Sequence, residues 1–138
     1  GIDVDGLVTS QLLINIFEHN TPLHDGAVIV RGNRIASATC YLPLSDNMNL
    51  DKNLGTRHRA GLGITEVTDA ITVIVSEETG KISLAYKGVL ERGLDAEKLR
   101  ERLKLAQPDL YDETRKSYKI FKGRSKAEKV EKEEENNK

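Results

Sequence analysis

Three short polar islands carry the residue types that could do chemistry in this chain. Leu23-His24-Asp25-Gly26-Ala27 sets a carboxylate beside an imidazole, Gly55-Thr56-Arg57-His58-Arg59 concentrates positive charge, and Ser76-Glu77-Glu78 adds a hydroxyl and two carboxylates. Asp25 can bind a divalent cation through hard oxygen or accept the proton of a hydroxyl nucleophile, and Gly26 after it lets a ligand come close to the backbone. In the second island Thr56 can cap a helix whose first turn holds two arginines and a histidine. Positive charge there opposes the helix macrodipole, a local violation expected mainly at functional sites. A bound anion reverses the penalty, because the free N–H groups of a helix start and the guanidinium forks all point at it, and phosphate is the natural candidate. Plainer readings stand beside these: an Asp-Gly turn, an exposed histidine at His24, a surface salt-bridge cluster at 56–59, and an ordinary strand exit at 76–78.

The intervening sequence must position those islands. Thr9 or Ser10 can cap a helix over roughly Gln11 to Glu18, where Leu12, Leu13, Ile16 and Phe17 recur at helical spacing, with Pro22 ending it. Ala27 to Val30 is apolar and rich in β-branched residues. Arg31-Gly32-Asn33-Arg34 turns it into a second strand from Ile35 to about Leu42, a hairpin read as central in its sheet. Tyr41, near the end of that strand, either fills the core or offers an aromatic face to a base, and Cys40 reads as a buried small hydrophobe. Pro43 to Leu54 reads as a loop, and a helix follows from Thr56 to about Val67. Gly61 and Gly63 each weaken that helix by about 1 kcal/mol relative to alanine, which calls for close packing against a sheet. Strands are expected over Ala70–Val75 and Ile82–Tyr86, then a turn at Lys87-Gly88 and a helix capped by Asp95, with Leu94 and Leu99 placed as a hydrophobic staple.

At 138 residues the chain is one domain's worth, and its net charge of -1 argues against a broadly basic nucleic-acid surface, so no nucleic-acid partner is expected. The single cysteine suits a reducing compartment. No apolar run approaches the length of a membrane span and no signal peptide is present. There is no glycine-rich loop ending in Gly-Lys-Ser/Thr and no dinucleotide fingerprint, which disfavours the common ATPase and Rossmann folds. From Gly123 to Lys138 five basic and five acidic residues alternate with almost nothing apolar, so residues 108–138 read as a charged, solvated tail after a domain over 1–107. The opening at Gly1-Ile2-Asp3, without methionine, reads as a piece of something longer.

Leu12 to Phe17, Thr21-Pro22-Leu23-His24-Asp25-Gly26-Ala27-Val28-Ile29-Val30, Cys40-Tyr41-Leu42-Pro43-Leu44, Leu54 to Ala60 and Val75 to Gly80 together closely resemble the diadenylate cyclase domain, over roughly residues 8 to 105. The resemblance implies an α/β fold, a single domain with a central mixed, largely antiparallel sheet flanked by helices. It implies an enzyme that condenses two ATP into cyclic di-AMP and two pyrophosphates, with two subunits face to face so that each 3′-hydroxyl meets the other nucleotide's α-phosphate; a homodimer is then needed for catalysis. Asp25 would activate the hydroxyl with a divalent metal, magnesium or manganese or cobalt, and His24 and Glu78 are further candidate donors to it. Arg57, His58 and Arg59 would serve catalysis by holding the triphosphate with Gly55 and Thr56, while Ser76 and Glu77 sit beside it. Gly26 and Ala27 would let the nucleotide close, and Tyr41 and Leu42 would form the adenine pocket.

Family members carry a further helix and strand ahead of the region where this chain starts, so relative to the family the domain is expected to be incomplete at its N-terminus. The C-terminal region looks more like the membrane-anchored bacterial type than the DNA-scanning one, which implies a cytoplasmic domain tied to a membrane only through an upstream segment absent here. Two other readings remain: a non-catalytic module binding ATP or a cyclic dinucleotide, and a metal-dependent phosphohydrolase using Asp25, His24 and Glu78. The second is poorly supplied, because two-metal sites draw on more acidic and histidine ligands.

Overall fold

The computed structural model describes residues 1–105. The charged stretch 108–138 lies outside the described residues, as do the last two residues of the expected domain.

The described chain runs β1 (Ile2–Leu7), α1 (Ser10–Ile16), β2 (Ala27–Arg31), β3 (Arg34–Cys40), α2 (Thr56–Val67), β4 (Ile71–Val75), β5 (Ile82–Tyr86), β6 (Val89–Leu94) and α3 (Ala96–Leu105). It is a mixed α/β fold in which every strand pairing is antiparallel, in two three-stranded sheets ordered β1-β3-β2 and β4-β5-β6. Of the hairpin read as central, β3 is central and β2 lies at the edge. Residues Gly1–Leu94 form one compact unit and a second begins at Asp95.

The first sheet gathers a core of Ile16, Ile35 and Ala38, with Leu12, Leu13, Leu23 and Val28 packed against it. Burying each such leucine or isoleucine contributes about 1.5–3 kcal/mol, enough to hold a helix of only seven residues that could not persist alone. Thr9 caps that helix as expected, its hydroxyl accepting the Leu12 N–H at 3.1 Å. The helix stops at Ile16, well before Pro22, because the Thr21 hydroxyl takes the Ile16 carbonyl at 3.1 Å. The strand β1 has no counterpart among the expected elements. Asp3, Asp5 and Gly6 are poor strand formers, and a register shift between Asp3 and Gly6 breaks the alternation that would mark it; Asp5 is in the left-handed region at φ 49°.

The second core is Leu62, Ile74 and Ala85, with Leu50 and Leu90 against it. Here the two helix glycines find their reason. A Cβ on Gly61 would stand 2.6 Å from Ile74 Cγ1 of β4, so α2 lies directly on the sheet. A Cβ on Gly63 would overlap the Pro43 carbonyl oxygen and stand 2.7 Å from the Ser45 nitrogen. That glycine therefore admits the loop between β3 and α2 rather than the sheet.

In the second unit Asp95 caps α3, its Oδ1 accepting the Lys98 N–H at 2.8 Å. Glu97 in the first turn and Arg102 and Lys104 in the last complement the macrodipole.

Candidate active site

The start of α2 is an open helix N-terminus. Gly55, not Thr56, is the N-cap; it supplies no side-chain bond, and Thr56 is the first helical residue. The expectation of a capping Thr56 hydroxyl is corrected on that point. Leu54 just before it is buried and pins the entry, its N–H donating to the Asp51 carbonyl at 3.0 Å. No acidic residue occupies the first turn. The leading N–H groups of an uncapped helix point outward without intrahelical partners, beside Arg57 and His58.

Across from this turn, the residues after β4 close onto it. Arg57 Nη2 donates to Glu77 Oε1 at 2.6 Å, with the two side chains 39% and 67% exposed. Two islands twenty positions apart in sequence are thus brought together by the packing of α2 on β4. Ser76 shapes the turn that presents Glu77: its hydroxyl accepts the Thr79 N–H at 3.3 Å and its carbonyl the Gly80 N–H at 2.9 Å. Glu78 is exposed on the same turn and makes no hydrogen bond or ion pair among the described residues.

Two residues that the sequence reading passed over sharpen the positive character. Arg92 on β6 pairs with Asp51 at 3.4 Å, and Asp51 Oδ1 also accepts the Asn53 N–H at 2.9 Å. The Asp51 turn is thereby tied to β6 immediately before the helix start. His58 sits in this environment with its pKa lowered, first by burial and then by the charges of Arg92 and Arg57. Both causes disfavour the charged form of its ring. The side chain of Arg59 makes no hydrogen bond or ion pair among the described residues, and its carbonyl accepts the Ser45 N–H at 2.9 Å.

The Asp25 loop belongs to the first sheet. Gly26 has φ +86°, and a Cβ there would stand 3.0 Å from the Cys40 carbonyl oxygen, so only glycine fits without strain. The opposing strand end is itself strained: Thr39, β-branched, holds φ +55°, with its hydroxyl directed at the Pro22 and Leu23 carbonyls at 3.5 and 3.4 Å. Ala27 pairs with Cys40, which sets the loop beside Tyr41 and Leu42. Tyr41 is 80% exposed, so its ring does not fill the core, and Leu42 is half-buried. Cys40 is also half-buried rather than fully enclosed, its Sγ 3.3 Å from the Ser37 hydroxyl.

Asp25 is exposed and accepts the Gly26 N–H on Oδ1 at 3.0 Å, and its Oδ2 has no partner among the described residues. His24 Nδ1 lies 2.7 Å from the Thr21 carbonyl, an acceptor only, so Nδ1 carries a hydrogen and the neutral ring would present its lone pair at Nε2. A histidine donating one ring N–H to a backbone carbonyl is the arrangement of a metal-ligating imidazole. Among the described residues no group of three His, Cys, Asp or Glu side chains is assembled to hold a metal. The donors present suit a hard cation that keeps several waters and takes further oxygens from a phosphate. Neither Asp25 nor His24 makes a hydrogen bond or ion pair with the Arg57–Glu77 pair among the described residues.

The model of the DAC family, described as DisA bacterial checkpoint controller nucleotide-binding, matches residues 1–90. The chain belongs to this family. A protein named diadenylate cyclase from Listeria monocytogenes serotype 1/2a (strain 10403S) is 58% identical over 121 residues, 88% of this chain and 43% of that protein. The cyclic di-AMP synthase CdaA of Bacillus subtilis (strain 168) is 60% identical over 103 residues, 75% of this chain and 38% of that protein. Among solved structures, DacA from Staphylococcus aureus, as an N166C/T172C double mutant, superposes with a TM-score of 0.72 at 50% identity, covering 80% of this chain and 71% of that one. A protein described as a hypothetical membrane spanning protein from Bacillus cereus gives a TM-score of 0.67 at 45% identity, over 69% of this chain and 47% of that one. The chain thus spans about 40% of the length of these two curated relatives. The DAC match includes all three polar islands and the Arg92 strand's first residues.

Proposed function

We propose that the chain carries the catalytic domain of a diadenylate cyclase, which condenses two ATP into cyclic di-AMP and two pyrophosphates in a face-to-face homodimer. The observation that supports this reading best is the open, acid-free start of α2, where Arg57, His58 and the leading N–H groups stand together beside Glu77. In this reading the triphosphate lies against Gly55, Thr56, Arg57, His58 and Arg59, with Ser76 and Glu77 alongside. Adenine lies against Tyr41 and Leu42, where an exposed aromatic ring is available to stack. Gly26 and Ala27 admit the sugar close to the backbone.

Each 3′-oxygen attacks the α-phosphorus of the nucleotide on the other subunit, the bond from that phosphorus to the β-bridging oxygen breaks, and pyrophosphate leaves. The hydroxyl proton passes to Asp25, whose Oδ2 has no partner among the described residues and can take it. Arg57 and Arg59 hold the charge that accumulates on the phosphate oxygens, and orientation of two bound nucleotides replaces a collision between them. A divalent cation, magnesium or manganese or cobalt, would be held by Asp25 with His24 and Glu78 as further donors. It would add positive charge at the reacting oxygens and lower the hydroxyl's pKa.

We infer further that the domain faces the cytoplasm on a membrane-anchored bacterial protein. The description of the Bacillus cereus neighbour and the greater length of the relatives support this. Among the described residues no helix is long and apolar enough to cross a membrane.

Chromatographic analysis after incubation with ATP and Mg²⁺ or Mn²⁺, at two protein concentrations, tests the reading. Cyclic di-AMP formed disproportionately at the higher concentration is the expected outcome. Asp25→Asn should lower its formation by about 10²- to 10⁴-fold while ATP still binds. Wild-type binding without turnover would point to a non-catalytic nucleotide module, and release of AMP or phosphate at a concentration-independent rate would point to a phosphohydrolase.

A further inference from the structure

The base side and the phosphate side of the proposed site come from different elements: Tyr41 and Leu42 follow β3, and Arg57 to Arg59 begin α2. What joins them is a single residue. Ser45 is 4% exposed, and its N–H and its hydroxyl both reach across to α2. Its N–H donates to the Arg59 carbonyl at 2.9 Å, its hydroxyl donates to Glu66 Oε1 on α2 at 2.5 Å, and the same hydroxyl accepts the Asn47 N–H at 3.2 Å. Gly63 makes the contact possible, since any side chain there would collide with the Pro43 carbonyl and the Ser45 backbone.

We propose that Ser45, held by Glu66 over Gly63, is a positioning residue that fixes the distance between the adenine pocket and the triphosphate-binding helix start. The inference rests on the nucleotide site proposed above. A buried hydroxyl that donates to a carboxylate on one side and accepts a backbone N–H on the other has one orientation. The three residues between Tyr41 and Ser45 are too few to absorb a slip, so the anchor sets where the base is presented relative to Arg57 and Arg59. Neither Ser45 nor Glu66 needs to touch the nucleotide. Their effect is on register, and it appears only with a ligand long enough to engage both sides.

That last point supplies the test. Binding of ATP and of inorganic tripolyphosphate is measured by calorimetry for the wild type and for Ser45→Ala, Glu66→Ala and Glu66→Gln, with thermal unfolding of each. Tripolyphosphate engages the helix start alone and should bind all four alike. ATP should bind Ser45→Ala and Glu66→Ala about tenfold more weakly than wild type, while Glu66→Gln, which keeps an acceptor oxygen, should recover most of the loss. Should Ser45→Ala fail to fold, the two Glu66 variants, altered at an exposed position, carry the comparison. Equal losses for both ligands, or unchanged ATP affinity in Glu66→Ala, would overturn the positioning role. A wild type that binds ATP no better than tripolyphosphate would instead remove the base-side reading, and this inference with it.

Discussion

His58 is held close to two guanidiniums and partly withdrawn from water, and both conditions disfavour its charged form. Its pKa in the folded protein therefore lies below the unfolded value of about 6.5. Between those two values the unfolded chain binds more protons. The group is without effect on stability above that window and destabilises the fold as pH falls through it. An NMR titration should find the His58 ring titrating low, and Arg92→Gln should move it upward without restoring the ordinary value, because burial is the larger cause. Bound ATP should also raise it, since an adjacent anion favours imidazolium; a resonance indifferent to ATP would place the phosphate elsewhere. The residue types at 55–59 were readable in the sequence as a candidate anion site, and those at 76–78 as a hydroxyl with two carboxylates. Their pairing through Arg57 and Glu77 was not, because it depends on how α2 lies on β4. Arg92 and Asp51 carried no signal at all, being an arginine in a strand and an aspartate in a polar loop until the fold sets them 3.4 Å apart.

At the scale of elements, α2 was readable in extent, and so was the reason for its glycines, but not which partner each one meets. Gly61 faces the side chain of Ile74, whereas Gly63 faces backbone at Pro43 and Ser45, which has less room to give. Gly63→Ala should accordingly destabilise the protein by about 2–3 kcal/mol and Gly61→Ala by roughly half of that, measured by denaturant unfolding with unchanged slope. Equal losses would mean that the loop at Pro43 is free to shift. The hairpin, the α2 boundaries and β5 follow from apolar runs and turn residues that act locally. The strand β1 escaped because its sequence is locally unfavourable, and it is held in place by pairing with β3 and by Arg34 bonding the Asp5 carboxylate at 2.7 Å. Thr39 is similar: nothing in a threonine announces a left-handed backbone, which only the surrounding contacts can impose.

Taken whole, the molecule is nearly neutral, at -1, yet its α2 start is cationic, so attraction of nucleotide is a property of one place and not of a broad field. The Arg57–Glu77 pair gives that place a resident competitor. A carboxylate sits on the guanidinium that a phosphate would claim, and an arriving anion must displace it or share with it. A single phosphate group gains little by the exchange. A triphosphate, which in the proposed binding mode reaches Arg57, Arg59 and the helix amides together, would gain enough, so that the competitor would filter ligands by valency. In the proposed reaction it would also act at the end, when pyrophosphate would remain in contact with the arginines and Glu77 could return to push it out. Glu77→Gln should therefore bind pyrophosphate about two- to fivefold more tightly, read as product inhibition, a range set by the modest strength of an exposed ion pair. The acidic neighbour of a phosphate site, an apparent obstacle to binding, would then be what lets the site empty for the next pair of nucleotides.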